Sequence, residues 1–359
     1  MILQEDAYVP SLRWRQGEYQ GLVTLAAAAK SRVTPLITIP PIEFDFDAWV
    51  PKKTPHEHLF PFPGRLKSKW GTRPFWLDVS DGLRDVKMDD GQSAYDYVFG
   101  GVRGNGGYAV PVVSFDMDEG LLLRIKSHIA LDQHGLGLRV LLTDLMKPTL
   151  GDTVEAFCKK LGVERDEIDL IIDLEAPNYD PVESFAIALG ASIVSIPKLD
   201  AYRNFVLVGT AFPESMGDIE KGETSIPRLH WQFYKELLNN LPDHVRRPVY
   251  GDYTIVHPSF VALDMRLIKP AGKIVYTTSD NYVVHKGGSF RDNREQMHDH
   301  CEAIVARGYY RGAAYSFGDK YIKDCAAKTE GPSNLSQWKK VGINHHMTVV
   351  LDDLATLFS

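Results

Sequence analysis

Through its first 260 residues the chain alternates between short runs rich in β-branched and aromatic residues and longer segments with helical spacing. The runs that read as strands cover residues 8–12, 35–39, 75–79, 108–113, 136–142, 169–174, 205–209 and 249–253. Between them, residues 119–131, 153–161 and 228–241 repeat apolar side chains every 3.6 positions, and residues 18–29 hold an alanine-rich stretch of good helical propensity. Residues 181–201 are ambiguous, helical at AIALG and strand-like at SIVSI, and are taken as one crossover element.

Strands that alternate with helices pair in parallel through right-handed crossovers. Eight such units over about 250 residues have the size and repeat of a closed (β/α)8 TIM-type barrel, an α/β fold. The rival is a doubly wound sheet, but no Gly-x-Gly-x-x-Gly follows the first strand. The glycine run 100–107 precedes a strand instead of opening a helix, so it reads as a connection and not as a phosphate loop. The barrel is expected over residues 1–260, with an α+β extension over 261–359 integral to the same domain, because no Pro/Ser-rich linker divides them. In the extension, strands at 273–276 and 282–286 flank a turn at Thr277-Thr278-Ser279-Asp280-Asn281. Helices are expected at 294–307 and 320–327, with a last element at 347–357.

Alternation along a barrel strand separates residues facing the helices from residues facing the interior. If the apolar set faces the helices, Leu170, Ile172 and Leu174 point out and Asp169, Ile171, Asp173 and Glu175 point in. The same rule turns Arg139 inward in the fifth strand, Trp76 and Asp78 in the third, and Val9, Ser11 and Arg13 in the first. Thr210 and Asp252 are assigned the inward parity in the seventh and eighth. The result is a ring of Arg13, Asp78, Arg139, Asp173, Glu175, Thr210 and Asp252 near the C-terminal strand ends, where barrel enzymes place their chemistry. Unpaired charges there would each cost several kcal/mol. Two readings stay open: buried salt bridges that hold the barrel together, or a ligand site.

Composition narrows the function. A net charge of -7 lacks the basic excess of a duplex-binding protein, so nucleic acid is disfavoured as a partner. No apolar run approaches the roughly 18 residues of a membrane span, and the acidic start MILQEDAYVP is unlike a signal peptide, so a cytoplasmic protein is expected. Cys158, Cys301 and Cys325 form no CxxC and read as free thiols. No Gly-x-Ser-x-Gly elbow is present, which argues against acyl transfer.

Histidines supply the remaining candidates. His56 and His58 follow Thr54-Pro55, and a capped helix start is favoured there over a metal pair. His298, His300 and Cys301 sit on a segment expected to be a solvated helix. Asp252 and His257 would form an acid/base pair at the end of the last strand, unless His257 only bonds its loop. His345, beside Asn344 and downstream of Trp338, would reach the ring if the extension covers the mouth; a satisfied structural histidine is the alternative.

Longer words along the chain carry a resemblance. They are Tyr8-Val9-Pro10-Ser11-Leu12-Arg13, Gln16-Gly17-Glu18-Tyr19, Tyr250-Gly251-Asp252-Tyr253 with His257-Pro258, Tyr310-Arg311-Gly312-Ala313, Ser316-Phe317-Gly318-Asp319-Lys320-Tyr321-Ile322, and Trp338-Lys339-Lys340-Val341-Gly342 with Asn344-His345-His346. In these words the chain resembles the phage Beta protein family of tailed phages and bacterial mobile elements. His56 and His230 depart from it, standing where members carry acidic residues. The resemblance implies a role in phage biology or phage–host conflict and supplies no activity or catalytic residue.

The expectation from the residues is a barrel that binds or processes a small anionic or phosphorylated ligand, on the pattern of a metal-assisted hydrolase or phosphodiesterase. In it Asp173, Glu175, Asp252, His257 and His345 do the chemistry. Arg13, Asp78, Arg139, Thr210, Trp338 and Asn344 hold the ligand, and a divalent metal is a cofactor the carboxylates would accept. The alternative is a non-catalytic factor that binds a host or phage protein through the aromatic stretches 44–49 and 60–62.

Overall fold

In the computed structural model, which describes residues 1–260 and 269–359, the eight runs become eight parallel strands closed into a barrel. Residues 261–268, the first part of the expected extension, lie outside the described residues. The strands are β1 (Val9–Arg13), β2 (Leu36–Ile39), β3 (Pro74–Val79), β4 (Tyr108–Val113), β5 (Leu136–Leu141), β6 (Ile168–Asp173), β7 (Asn204–Gly209) and β8 (Val249–Asp252). Each pairs with the next, and β8 returns to β1 with Val9 opposite Gly251 and Pro10 opposite Asp252.

Closure follows from strands that are apolar on both faces. Outward side chains such as Leu12, Leu77, Leu138, Leu170, Ile172 and Leu207 join the helices in one core. Inward ones, Val9, Leu36, Trp76, Val110, Ile171, Val206 and Val249, fill the barrel as a second cluster. The expected alternation therefore holds in β1, β3, β5 and β6. Gly137 is required by the filling: a Cβ there would lie 2.8 Å from Cδ1 of the buried Trp76 indole.

The ambiguous segment is helical, Val182–Val194, because Ala186, Leu189, Gly190 and Ile193 recur on its buried face and outweigh its β-branched end. The expected start at Thr54 is a complete capping box, with the hydroxyl accepting from Glu57 N–H and the Glu57 carboxylate accepting from Thr54 N–H.

After β8 come a hairpin, Ala271–Thr277 and Asn281–Ser289, and two helices, Gln296–Val305 and Phe317–Ala326. The strand Gly222–Pro227, from the β7 connection, adds to the hairpin as a third antiparallel strand. The chain ends in a helix of 23 residues, Leu335–Leu357, of which the expected 347–357 is only the second half. It packs along the helix Gln16–Val23 that follows β1 and reaches, through Arg228 and Asp353 (2.7 Å), the start of the helix Leu229–Asn240 that follows β7. The C-terminal helix thus fills the gap in the helix ring outside β8.

Candidate functional site

The C-terminal ends of β3, β5 and β6 bring three of the expected charges together. Arg139 Nη1 donates to Asp78 Oδ2 at 2.7 Å, and its Nε lies 3.3 Å from Asp173 Oδ2. Burial works against the guanidinium, but the charges of Asp78 and Asp173 more than offset it, so Arg139 stays protonated. Asp173 also accepts from the Tyr253 hydroxyl (2.6 Å) and from Glu175 N–H (2.9 Å). Arg84 supports the cluster, 3.6 Å from Asp78 and 2.6 Å from Asp81. Asp78, Arg139 and Asp173 are thus a paired buried triad. Arg139 spends Nη1 on Asp78, while its Nε meets Asp173 at ion-pair distance without a hydrogen bond among the described residues.

Glu175 differs. Its backbone is left-handed (φ 55°), and among the described residues its carboxylate has no hydrogen bond or ion pair. Burial, and then the charge of Asp173, push its pKa up. With Ser11, Ser80 and Tyr253 it lines a cavity of about 280 Å³ at the mouth of the barrel. The Ser80 hydroxyl is buried there without a hydrogen-bond partner among the described residues.

A second cavity, of about 700 Å³, opens beside the first and shares Arg13, Glu18 and Val256 with it. Arg13, Arg15, Lys52, Lys53, Arg65 and Lys339 line it, against the carboxylates of Glu18 and Glu43. Arg13 donates to Ser259 O (2.9 Å) and lies 4.5 Å over the Phe260 ring. The sequence reading missed all of this lining except Arg13 and His58. These residues come from four distant segments, and no local pattern joins them.

Several expected site residues lie elsewhere. Asp252 faces outward, not inward: in β8, Val249 fills the barrel and Tyr250 joins the outer core, so position 252 shares the outward parity. Its carboxylate is enclosed by Tyr8 OH (2.5 Å), Tyr250 OH (3.0 Å), Thr254 N–H (2.8 Å) and His346 Nε2 (2.9 Å). Burial would raise its pKa, but His346, His230 and Tyr8 hold it below the usual carboxylate range. His257 does not meet Asp252; its Nδ1 accepts from Ser259 N–H (3.2 Å), the loop bond. Thr210 is buried, accepts from Phe212 N–H (2.9 Å), and does not line the mouth.

The C-terminal candidates are also enclosed. His345 lies between Asp319 Oδ2 (2.7 Å) and Thr277 O (2.8 Å) and stacks on Tyr276. Asn344 accepts from Gly318 N–H (3.0 Å), and Trp338 donates to Pro332 O (2.7 Å). None of the three lines either cavity; of the helix carrying them, Leu335, Ser336 and Lys339 do. The segment around His298 is not solvated either: Cys301 is fully buried and His298 Nδ1 bonds Cys325 O (2.6 Å). Among the described residues no group of three or more His, Cys, Asp or Glu side chains converges to hold a metal ion.

The profile described as Beta protein matches residues 8–352, nearly the whole chain. The chain belongs to the Beta protein family. No curated protein matches its sequence. In this Beta protein family member, the first word of the resemblance forms β1, and the words around Glu18 and Lys339 meet at the larger cavity. Among the described residues no helix is long and apolar enough to cross a membrane.

Proposed function

We propose that this Beta protein family member binds a small phosphorylated ligand at the C-terminal mouth of its barrel. The phosphate would enter the larger cavity, and a hydroxyl-bearing body such as a sugar would lie over the carboxylates of the smaller one. The observation that carries the reading is a charge reversal. A chain of net charge -7 gathers six lysine and arginine side chains against two glutamates around 700 Å³, a volume ordinary for small-ligand sites. If turnover occurs, Glu175 is the acid/base group best placed for it. Its proton affinity is raised and its carboxylate has no hydrogen bond or ion pair among the described residues, whereas Asp173 is committed to Arg139 and Tyr253. Arg13 and Glu18, on the shared wall, would orient the ligand.

The test is thermal unfolding with inorganic phosphate, pyrophosphate and sugar phosphates, against chloride at equal ionic strength. Ligand at a hundredfold excess over its Kd stabilises by about 2.7 kcal/mol, a rise of several degrees. Arg15→Glu with Lys53→Glu, both exposed positions, should remove that rise without lowering the melting temperature of the free protein. No rise, or an equal rise in the double variant, defeats the proposal.

A second reading, a protein-binding factor in phage–host interaction, is favoured by one feature. The small hairpin Phe44–Asp45 and Val50–Pro51 carries Trp49, 75% exposed, at its tip, and Phe60 is 60% exposed. Under that reading phosphates leave the melting temperature unmoved, while Trp49→Ala with Phe60→Ala weakens capture of a host or phage protein.

A further inference from the structure

We propose that Lys339 is a nucleophilic amine that condenses with the carbonyl group of a phosphorylated aldehyde or ketone, with Glu18 carrying the proton. The phosphate in this statement rests on the reading above; the amine rests on its own geometry.

Lys339 lies early in the C-terminal helix, where the helix passes the mouth, and lines the larger cavity together with Glu18 and Arg13. Its stem is held against the helix Gln16–Val23. A Cβ at Gly17 would lie 2.7 Å from Lys339 Cβ and 2.8 Å from its Cγ, so glycine at 17 makes room for this lysine. Nζ donates to Ile255 O at 3.2 Å, and among the described residues it forms no ion pair. A lysine placed only to hold the two helices together would be expected to close on the neighbouring carboxylate. This one stops short of it.

The charged groups facing Lys339 are Glu18, Lys273, Arg13 and Arg15, three cations and one acid. Burial first, and the cations after it, lower the amine to about 8, against the attraction of Glu18. At pH 7.5 about a quarter of such an amine is neutral, against about one part in a thousand of an ordinary lysine. Glu18 is itself buried, with a carboxylate oxygen accepting from Arg13 N–H (2.7 Å), and burial raises its pKa. An amine with an available lone pair and a carboxylate whose proton affinity burial raises therefore share one wall of the cavity.

The step balances without an oxidant. The amine lone pair forms a C–N bond to the carbonyl carbon, the C=O π pair moves to oxygen, and the Glu18 carboxylate takes a proton from the nitrogen and passes it to that oxygen. Nitrogen gives up its second proton by the same route, the hydroxyl leaves as water when protonated again, and an imine remains. In sum, amine plus carbonyl gives imine plus water.

The experiment is reductive trapping on the full chain. Dihydroxyacetone phosphate, or pyruvate as a carbonyl without phosphate, is added with borohydride, and the adduct is mapped by peptide mass. We expect adduct at Lys339 about tenfold faster than at the exposed Lys52 and Lys53, rising with pH through about 8 and competed by inorganic phosphate. Lys339→Arg, which keeps the charge and removes the nucleophilic amine, should abolish it, and Glu18→Gln should slow it about a hundredfold. If both carbonyl compounds label Lys339 and phosphate does not compete, the amine stands and the phosphate reading falls. If Lys339 labels no faster than Lys52 while phosphate still raises the melting temperature, the amine is overturned and the phosphate reading stands.

Discussion

At the scale of single residues, the chain commits its most buried ionisable groups to structure and leaves free ones at the mouth. His230 shows the consequence for stability. It is fully buried, Nδ1 accepts from Ala211 N–H (3.2 Å), and burial pushes its pKa down to about 3. An unfolded histidine titrates near 6.5, so between that value and about 3 the unfolded chain binds a proton that the native chain does not. Stability is therefore full above pH 6.5 and falls as pH drops, by about 1.4 kcal/mol per unit. His346, lowered by burial despite Asp252, acts in the same direction. Urea unfolding at pH 5 should give about 2 kcal/mol less stability than at pH 7.5 from His230 alone, and His230→Gln should flatten the dependence. Equal stability at the two pH values would contradict the burial of a neutral ring. The inward placement of Asp78, Arg139 and Asp173 was legible from alternation because their strands have a clear apolar face, whereas their pairing was left open beside a ligand site. The placement of Asp252 was not legible. In Val249-Tyr250-Gly251-Asp252 both leading residues are apolar, so either parity fits the sequence.

At the scale of elements, close approach between the helix Gln16–Val23 and the C-terminal helix decides where Lys339 and the shared wall of the mouth lie. A Cβ at Gly21 would come within 2.7 Å of Ile343 Cγ2 and 3.0 Å of its Cβ. Gly21→Val should therefore overpack the contact and cost about 1–3 kcal/mol in urea unfolding. Ile343→Ala in the same chain should return part of that loss, since the two sites share one contact and are not additive. Additive losses would mean that the helices do not meet at Gly21. The first half of the C-terminal helix was hidden in the sequence for a physical reason. It is buried on the barrel side and against the second core of the hairpin and its helices, so Asn344, His345 and His346 are enclosed with Val341 and Met347. A helix covered on two sides has no polar face to mark its period. The helix Val182–Val194 was obscured differently, by β-branched residues at its end that packing overrides.

At the scale of the whole molecule, the eightfold repeat was readable because each unit announces the same pattern, whereas the basic cavity was not, since net charge says nothing of where the charges gather. The completion of the helix ring by the last residues of the chain makes a demand on the whole barrel. Removing residues 335–359 strips cover from Ile255 and Tyr282, and takes Val341, Ile343, Met347, Val350, Leu351 and Leu354 out of the cores. Six buried aliphatic side chains at about 1.5–3 kcal/mol each roughly equal the entire stability of a typical domain. The loss also leaves Asp252 without His346 and the fully buried Arg228 without Asp353, and an uncompensated buried charge costs several kcal/mol more. The truncated chain should show no cooperative thermal transition and should bind a hydrophobic dye, while loss of Phe358 and Ser359 alone should change little. If the chain ending at residue 334 still melts cooperatively within a few degrees of the full protein, the C-terminal helix is an appendage. Lys339 would then belong to a removable part, and the mouth would have to be redrawn without it.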